Sequence, residues 1–301
     1  MDTQNLQAFI SVADHASFSL AAEQLHLTQP AVSKRIATLE SHLGCRLFDR
    51  IGRTVRLTES GQALLPRAQH ILQSVRDTQQ AMHNLSGSIS GKLRLATSHH
   101  IGLHHLPIIL RRFTEDYPEV ELELGFMDSE QAYEAVHRGD AELAVVTLAP
   151  SQPPYIEAVS LWEDPLSVVV SPEHPLANKQ SIDVEELASL PAILPDLNTY
   201  TGQLIQKLFA QKQLKLNLSM ATNYLETIKM MVSIGLGWSI LPNTMVDKQL
   251  CSLHVEALQA SRTLGCIYHR ERTLSNAALT FLQACKQAGS AEGSTTSNIT
   301  T

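Results

Sequence analysis

The sequence has no long hydrophobic run, no leader-like start and little cysteine. No apolar stretch approaches the roughly 18–20 residues that a membrane-spanning helix needs, so no helical membrane span is expected. The first residues, MDTQN, are polar and do not combine a basic segment with an apolar one, so we expect no signal peptide. The four cysteines, Cys45, Cys251, Cys266 and Cys285, show no paired spacing, which favours reduced thiols in a cytoplasm.

The sequence also lacks the short motifs of common enzyme classes. It contains no G-x-G-x-x-G, no P-loop, no G-x-S-x-G and no H-E-x-x-H. Four histidines, at positions 99, 100, 104 and 105, could suggest a metal site, but no cysteine or acidic residue is near them in the sequence. We therefore expect no metal and no cofactor, and we interpret these histidines as anion contacts or solvated surface.

Charge is distributed unevenly along the chain, whose formal net charge is −7. Residues 1–90 carry eight Lys and Arg against seven Asp and Glu, whereas the remainder carries 15 against 23. Within residues 29–56, six basic residues stand against two acidic ones. A local basic patch in an otherwise acidic chain is typical of a segment that binds nucleic acid.

The basic patch coincides with a predicted pair of short helices. Hydrophobic spacing predicts a helix around Leu6–Ala13 and a second one after Ser17 or Ser19. Thr28 is a good N-cap for a third helix, and Gly44 would end it. This is a helix-turn-helix layout, although such a polar face can also be ordinary solvated surface. The predicted DNA contacts on the third helix are Thr28, Gln29, Pro30, Ser33, Lys34, Arg35 and Thr38.

The next segment, RLFDRIGRTVRLTESG, predicts a hairpin followed by a long helix. The hairpin would form a wing with Arg50 and Arg53 at its tip, where they can contact DNA phosphates. Thr58 or Ser60 would begin the helix. An apolar seam at heptad spacing runs along it and favours dimerisation, with packing on its own domain as the alternative. The seam consists of Leu64, Ala68, Ile71, Val75, Thr78, Met82 and Leu85.

Together these features resemble one family, the LysR-type transcriptional regulators. The match is carried by LTQPAVSKRIATLESHLGCRLFDRIGRTVRLTESG, whose order, spacing and distance from the N-terminus all fit. The resemblance implies a cytoplasmic regulator that is not an enzyme, whose partners are double-stranded DNA, a small-molecule or oxyanion effector, RNA polymerase and its own copies in a homodimer or homotetramer. Lys34 stands where the family more often has Arg, which weakens a prediction of bidentate guanine contacts. The alternative is a cytoplasmic small-molecule-binding protein or enzyme with an incidental helix-turn-helix.

Beyond SGSISG the pattern changes to strands that alternate with helices. This alternation predicts an α/β domain with open, mostly parallel sheets, and includes one helix over residues 102–117. The resemblance implies a periplasmic-binding-protein-like (type 2) effector domain of two α/β subdomains, behind an N-terminal all-α winged helix-turn-helix. The predicted boundaries are 1–58 for the winged helix-turn-helix, 59–86 for the linker and dimerisation helix, 87–91 for a hinge, 92–288 for the effector domain (lobe one 92–161 and 267–288, lobe two 162–266) and 289–301 for a disordered tail.

Hydroxyl-bearing residues follow several of the predicted strands. Open α/β sheets bind ligands at the carboxyl ends of strands, where helix N-termini direct N–H groups at an anion. The resemblance implies an effector cleft at the same loops, and we expect a small anion there. Ser129 and Thr201 can equally be plain N-caps. The predicted effector-binding residues are Thr97, Ser98, His99, His100, Ile101, Ser129, Thr147, Asn198, Thr199, Tyr200 and Thr201.

Overall fold

The structure is a computed structural model, and it describes residues 2–51, 54–255 and 258–296. The chain divides into two units, the first ending at Ser86 and the second beginning at Gly87. Across the described residues, no helix combines the length and the apolar character needed to cross a membrane.

Three short helices build the core of the first unit, and a side chain caps the start of each. The capping oxygens of Asp2, Ser17 and Thr28 accept backbone N–H groups that have no partner within the helix. Gly44 ends the third helix in the left-handed conformation, with φ 67°. These predicted helices and the predicted ends of the third are confirmed. The helices are α1 (Thr3–His15), α2 (Phe18–Gln24) and α3 (Gln29–Leu43).

A hairpin and a long helix complete the first unit. Thr58 caps the long helix by accepting the N–H of Gly61 at 3.0 Å. A Cβ on Gly61 would lie 2.2 Å from the carbonyl oxygen of Leu47, so glycine is what allows this close approach. The elements are the antiparallel strands β1 (Phe48–Ile51) and β2 (Thr54–Leu57) and the helix α4 (Glu59–Asn84).

The apolar seam of α4 is divided between the core and the solvent. In the seam, Ala68 is buried, and Leu64 and Ile71 are partly buried against the core that α1, α2 and α3 share. Further along the helix, Val75 is 37% exposed and Met82 is 61% exposed. The first half of the seam therefore packs at least in part on its own domain, the alternative that the sequence left open, and the dimer interface along the seam stays a prediction.

The second unit is built on a seven-stranded sheet with helices packed on it. The sheet contains β3 (Gly91–Thr97), β4 (Val120–Phe126), β5 (Leu143–Thr147), β6 (Ile156–Val170), β9 (Ser239–Pro242), β10 (Cys251–Leu253) and β11 (Ala260–His269). A separate parallel pair consists of β7 (Ala192–Leu194) and β8 (Leu218–Ala221). The helices are α5 (His99–His104), α6 (Leu106–Asp116), α7 (Ser129–Arg138), α8 (Val184–Ser189), α9 (Tyr200–Gln211), α10 (Leu225–Ser233) and α11 (Asn276–Thr296).

Two long antiparallel strands, β6 and β11, connect two lobes within this unit. In lobe one, β11 pairs with β5, and β3 lies between β5 and β4 in parallel pairing. In lobe two, β6 pairs antiparallel with β9 and β10. Each lobe has its own large hydrophobic core. The prediction of mostly parallel sheets is wrong for this reason, since the strands that connect the lobes run in opposite directions.

Two predicted boundaries of lobe one also differ from the structure. The helix predicted over residues 102–117 is interrupted at His105, which separates α5 from α6. Pro107 lies in the first turn of α6, where the missing N–H of proline costs no helical hydrogen bond. The predicted crossing at residue 267 lies inside the part of β11 that pairs with β5, and that pairing already begins at Leu264.

The last helix is longer than the sequence predicts. It continues to Thr296, whereas the sequence predicts a disordered tail from residue 289. A Cβ on Gly289 would lie 2.5 Å from the carbonyl oxygen of Leu161, so the glycine lets α11 pack closely on β6 instead of ending there. Residues 297–301 of the predicted tail lie outside the described residues.

Candidate functional site

The outward face of α3 carries the side chains predicted to contact DNA. The opposite face is fixed in the core by Val32, Ile36 and Leu39, which are buried. Because the apolar face is buried, the polar and basic face is turned to solvent. The exposed predicted residues are Thr28, Gln29, Pro30, Lys34 and Thr38, and the half-buried ones are Ser33 and Arg35.

Two hydrogen bonds order this face. Gln29 Nε2 donates to Ser33 Oγ at 3.2 Å, one turn along the helix. Arg35 Nη2 donates to Gln4 Oε1 at 2.8 Å, which fixes the guanidinium against the first turn of α1. The face therefore presents a small polar centre, flanked on one side by an arginine that already has a protein partner.

The hairpin supplies further basic residues to the first unit. Arg56 on β2 is exposed, and its backbone is opposite Asp49 in the antiparallel register. Arg50 lies in β1, where its backbone is opposite Val55. Arg53 lies outside the described residues. The phosphate contacts expected of Arg50 and Arg53 stay predictions.

A second candidate site is a small cavity of about 50 Å³ between the two lobes of the second unit. It lies at the carboxyl ends of β3, β4 and β5 in lobe one and at the start of α9 in lobe two. Its lining residues are Ser98, His99, His100, Asp128, Ser129, Glu130, Thr147, Pro195, Thr199, Tyr200, Thr201, Asn223, Leu225 and Arg262.

Most of the predicted effector-binding residues line this cavity, but three of them lie elsewhere. The hydroxyl of Thr97 is buried and donates to the carbonyl oxygen of Val145 at 2.8 Å. Ile101 is part of the core of lobe one. Asn198 is exposed, and its side chain donates to Asp196 at 2.9 Å. These three residues stabilise the strand, core and loop behind the cavity wall.

The hydroxyl groups at the cavity have different roles. Ser129 accepts the N–H of Thr147 at 3.1 Å, which ties α7 to the end of β5. Thr199 caps α9 by accepting the N–H of Gly202 at 3.1 Å. Ser98 precedes α5, yet its hydroxyl makes no capping hydrogen bond to that helix in the described structure. The proposed alternative for Ser129 and Thr201 is wrong, because the N-caps are Asp128 and Thr199.

A buried charged residue that the sequence did not predict, Arg262, also lines the cavity. Arg262 and Asp164 are cross-strand partners on β11 and β6, and Arg262 Nε donates to Asp164 Oδ2 at 2.8 Å. Their side chains are only 8% and 2% exposed. Arg262 Nη1 also donates to Thr201 Oγ1 at 2.9 Å, whereas Nη2 is buried without a hydrogen-bond partner among the described residues. Such an unpaired buried donor costs about 1–3 kcal/mol.

His100 is a further buried polar residue of the cavity wall. Burial in the first place, and then the positive charge of Arg262, lower the pKa of His100 from 6.5 to about 2. The imidazole is therefore neutral, and its ring centroid is 4.8 Å from that of His104. Within the described residues, no group of three or more His, Cys, Asp and Glu side chains is arranged to bind a metal ion.

Several polar contacts join the two lobes around the cavity. Burial raises the pKa of Glu130, whose carboxylate accepts the first N–H of α9 from across the cavity. The cross-lobe pairs are Asn223 Nδ2 with Asp128 Oδ2 at 2.7 Å, the Tyr200 amide with Glu130, and His104 Nε2 with Glu226 Oε1 at 2.7 Å.

Comparison with known families gives two matches that together span most of the chain. A family model described as the bacterial regulatory helix-turn-helix protein of the lysR family matches residues 3–62. A second model, described as the LysR substrate binding domain, matches residues 86–290. The first range contains α1 to α3 and the hairpin, and the second contains the whole seven-stranded sheet.

Individual proteins agree with these matches. The transcriptional activator CmpR of Synechocystis is 32% identical over 281 residues, which cover 92% of each chain. The structure of full-length CbnR complexed with its target DNA covers 96% of this chain and 100% of that one, with 20% identity and a TM-score of 0.63. The effector binding domain of QuiR in complex with shikimate covers 67% of this chain and 98% of that one, with 21% identity and a TM-score of 0.61.

Proposed function

The chain belongs to the LysR family of bacterial transcriptional regulators, and we propose that it reads promoter DNA with α3 and adjusts this binding to a small anion held between the lobes of its second unit. The family consists of DNA-binding regulators and not of enzymes. A cytoplasmic enzyme or carrier with an incidental helix-turn-helix is therefore excluded.

The observation that carries the DNA-binding proposal is the solvent-facing polar and basic side of α3. Ser33 and Lys34 lie at its centre, one turn from the helix start at Thr28, and the buried Val32 fixes their direction. Small hydroxyl and basic side chains at the start of a recognition helix can reach base edges in the major groove. CbnR, which has this fold, is seen with its target DNA.

The effector proposal is supported by the cavity between the lobes. Arg262 supplies a buried positive charge with a spare N–H, and Ser98 supplies a hydroxyl that caps no described helix. Charge-assisted hydrogen bonds of this kind are the stronger ones, so a carboxylate or inorganic oxyanion fits the wall formed by these two residues. QuiR, which has this fold in its effector domain, is seen with shikimate.

The proposal includes assembly and partners. Val75 and Met82 in the second half of α4 and Leu85 directly after it are exposed apolar residues, and they form a stripe that a second copy can cover. The regulator is proposed to be a homodimer or homotetramer in the cytoplasm, and to act on transcription through RNA polymerase.

A gel-shift measurement on the DNA upstream of the protein's own gene tests this function. Replacing Ser33→Ala should lower the preference for that DNA over random DNA, by about 1–3 kcal/mol for each hydrogen bond to a base that the substitution removes. The matched control is Ser41→Ala, an exposed serine two turns further along α3. Equal preference in the parent and Ser33→Ala proteins would show that this face does not read bases.

A further inference from the structure

The wall of the inter-lobe cavity combines two buried groups with unused hydrogen-bonding capacity. His100 lies in the first turn of α5, and Arg262 lies on β11, where the two lobes join. Both residues line the cavity, and their side chains are only 4% and 8% exposed. Buried polar groups in proteins are nearly always hydrogen-bonded, so unused capacity at a cavity points to what the cavity binds.

Arg262 requires an acceptor from the ligand. Its Nε is committed to Asp164 and its Nη1 to Thr201, at 2.8 Å and 2.9 Å. Nη2 is buried and has no hydrogen-bond partner in the described part of the chain. Because a guanidinium can only donate, the group that satisfies Nη2 must be an oxygen or another acceptor, and a negatively charged oxygen satisfies it best.

His100 requires a donor as well as an acceptor. Neither of its ring nitrogens has a hydrogen-bond partner among the described residues, and the 4.0 Å from Nε2 to Asp164 Oδ2 is too long for one. Burial and the nearby Arg262 lower the pKa of His100 to about 2, so the ring is neutral. A neutral imidazole has one N–H and one bare nitrogen, and the bare nitrogen can only accept.

Other acceptors surround the same space. Asp128 and Glu130 also line the cavity, and both belong to the start of α7 in lobe one. Their carboxylates repel an anion that has no hydrogen to donate, whereas they accept readily from a hydroxyl group. The cavity therefore combines one strong donor, Arg262, with one unpartnered acceptor, the bare nitrogen of His100, and with two carboxylates that can accept a further hydrogen bond from the ligand.

We infer that the cavity is selective for a small anion that carries an O–H or N–H group of its own, such as a partly protonated oxyanion or the hydroxy-acid end of a larger molecule. This inference rests on the proposed function and specifies its ligand. The negative oxygen would accept from Arg262 Nη2, and the ligand hydrogen would be donated to the bare nitrogen of His100. The cavity of about 50 Å³ has room for only a few atoms, since a single water needs about 10–15 Å³.

Two matched pairs of anions separate this selectivity from simple anion binding. Bicarbonate and nitrate are planar monoanions of similar size at pH 8, and only bicarbonate carries an O–H. Glycolate and acetate are carboxylates that differ by one hydroxyl group. In titration calorimetry with the full chain, bicarbonate and glycolate should each bind about tenfold more tightly than their partners, as expected for one hydrogen bond at a buried site.

Substitutions at His100 assign the selectivity to that residue. His100→Leu removes the acceptor and should bring the ratio of the bicarbonate and nitrate dissociation constants close to one. His100→Gln keeps an acceptor oxygen and a donor, so it should retain part of the preference even if His100→Leu folds poorly. His42→Gln, on the exposed end of α3, is the matched control and should behave as the parent does.

The possible outcomes distinguish this inference from the proposed function. Equal binding within both pairs would overturn the need for a ligand hydrogen, while an anion site in the cavity would still stand. If none of the four probes binds, both the inference and the anionic effector of the proposed function are overturned. DNA recognition by α3 is measured separately by the gel shift and is affected by neither result.

Discussion

Two side chains at the cavity wall, those of Arg262 and His100, carry most of the chemistry of the second unit. Arg262 and Asp164 form a buried ion pair, and such a pair is costly to break because removing one partner leaves an uncompensated charge, at about 3–5 kcal/mol. His100 beside them stays neutral. The arrangement fixes a positive and a neutral group at one point between the lobes, where a ligand can touch both.

The lowered pKa of His100 predicts a specific dependence of stability on pH. Below its ordinary pKa of 6.5 the unfolded chain binds a proton at His100, but the folded chain does not until about pH 2. The contribution of His100 to the free energy of unfolding is therefore fully present above pH 6.5 and falls by about 1.4 kcal/mol per pH unit below it. Between pH 7 and pH 5 the loss is about 2 kcal/mol.

Denaturant unfolding at pH 7 and pH 5 measures this loss. The two tryptophans, Trp162 and Trp238, both lie in cores of the second unit and report its unfolding by fluorescence. His100→Leu should lose about 2 kcal/mol less than the parent between these pH values, whatever its stability at pH 7. If both proteins lost the same free energy of unfolding, His100 would have to be protonated in the folded protein at pH 5.

Among the residues that line the cavity, only those at the end of a strand or the start of a helix that the local sequence pattern predicts could be identified from the sequence. Ser98 directly follows β3 and Thr147 is the last residue of β5, so their position at the sheet edge follows from the strand pattern. Arg262 and Asp164 lie about a hundred residues apart, and only the register between β6 and β11 brings them opposite each other. That register depends on packing across both lobes and leaves no signal in the local sequence.

At the scale of the element, the first half of α4 packs on the core of its unit, and the second half exposes apolar side chains. Val75→Asp places a carboxylate on its exposed apolar stripe and should shift the full chain to smaller species in light scattering, since a buried unpaired charge costs several kcal/mol. Gln80→Asp is the matched control, about 140° around the helix from Val75. An unchanged assembly in Val75→Asp would mean that copies associate through another surface.

The elements with strong local signals were predicted to the residue. The runs VELELGF, SEQAYEAVHR and LAVVT predict a strand, a helix and a strand, and β4, α7 and β5 have these bounds, because alternation, a capping residue and a final glycine or threonine mark their ends. In the region of β6 the sequence predicts only LSVVVS, residues 166–171. The first half of the strand shows no regular alternation of buried and exposed residues, and Pro165 interrupts the pattern before Leu166. The local pattern also carried no sign that α5 and α6 are separate helices.

At the scale of the whole molecule, the two units divide the work of a regulator. The first presents a polar and basic helix face, and the second encloses a cavity between two lobes that polar contacts connect. The two-unit organisation was predictable from the change in pattern near residue 86 and from the family resemblance. The chemistry of the cavity was not, because it arises where strands from distant parts of the chain meet.

The measurement that tests the central claim most directly is the affinity of the full chain for its upstream DNA with and without bicarbonate. We expect saturating bicarbonate to change the affinity or the footprint of the parent protein. Ser98→Ala should bind the same DNA as the parent does without bicarbonate, but should need about tenfold more bicarbonate for the same change, because one hydrogen bond to the charged ligand is removed. Two results would contradict an anion-controlled regulator: parent DNA binding that bicarbonate leaves unchanged, or a Ser98→Ala protein that responds at the same concentration as the parent.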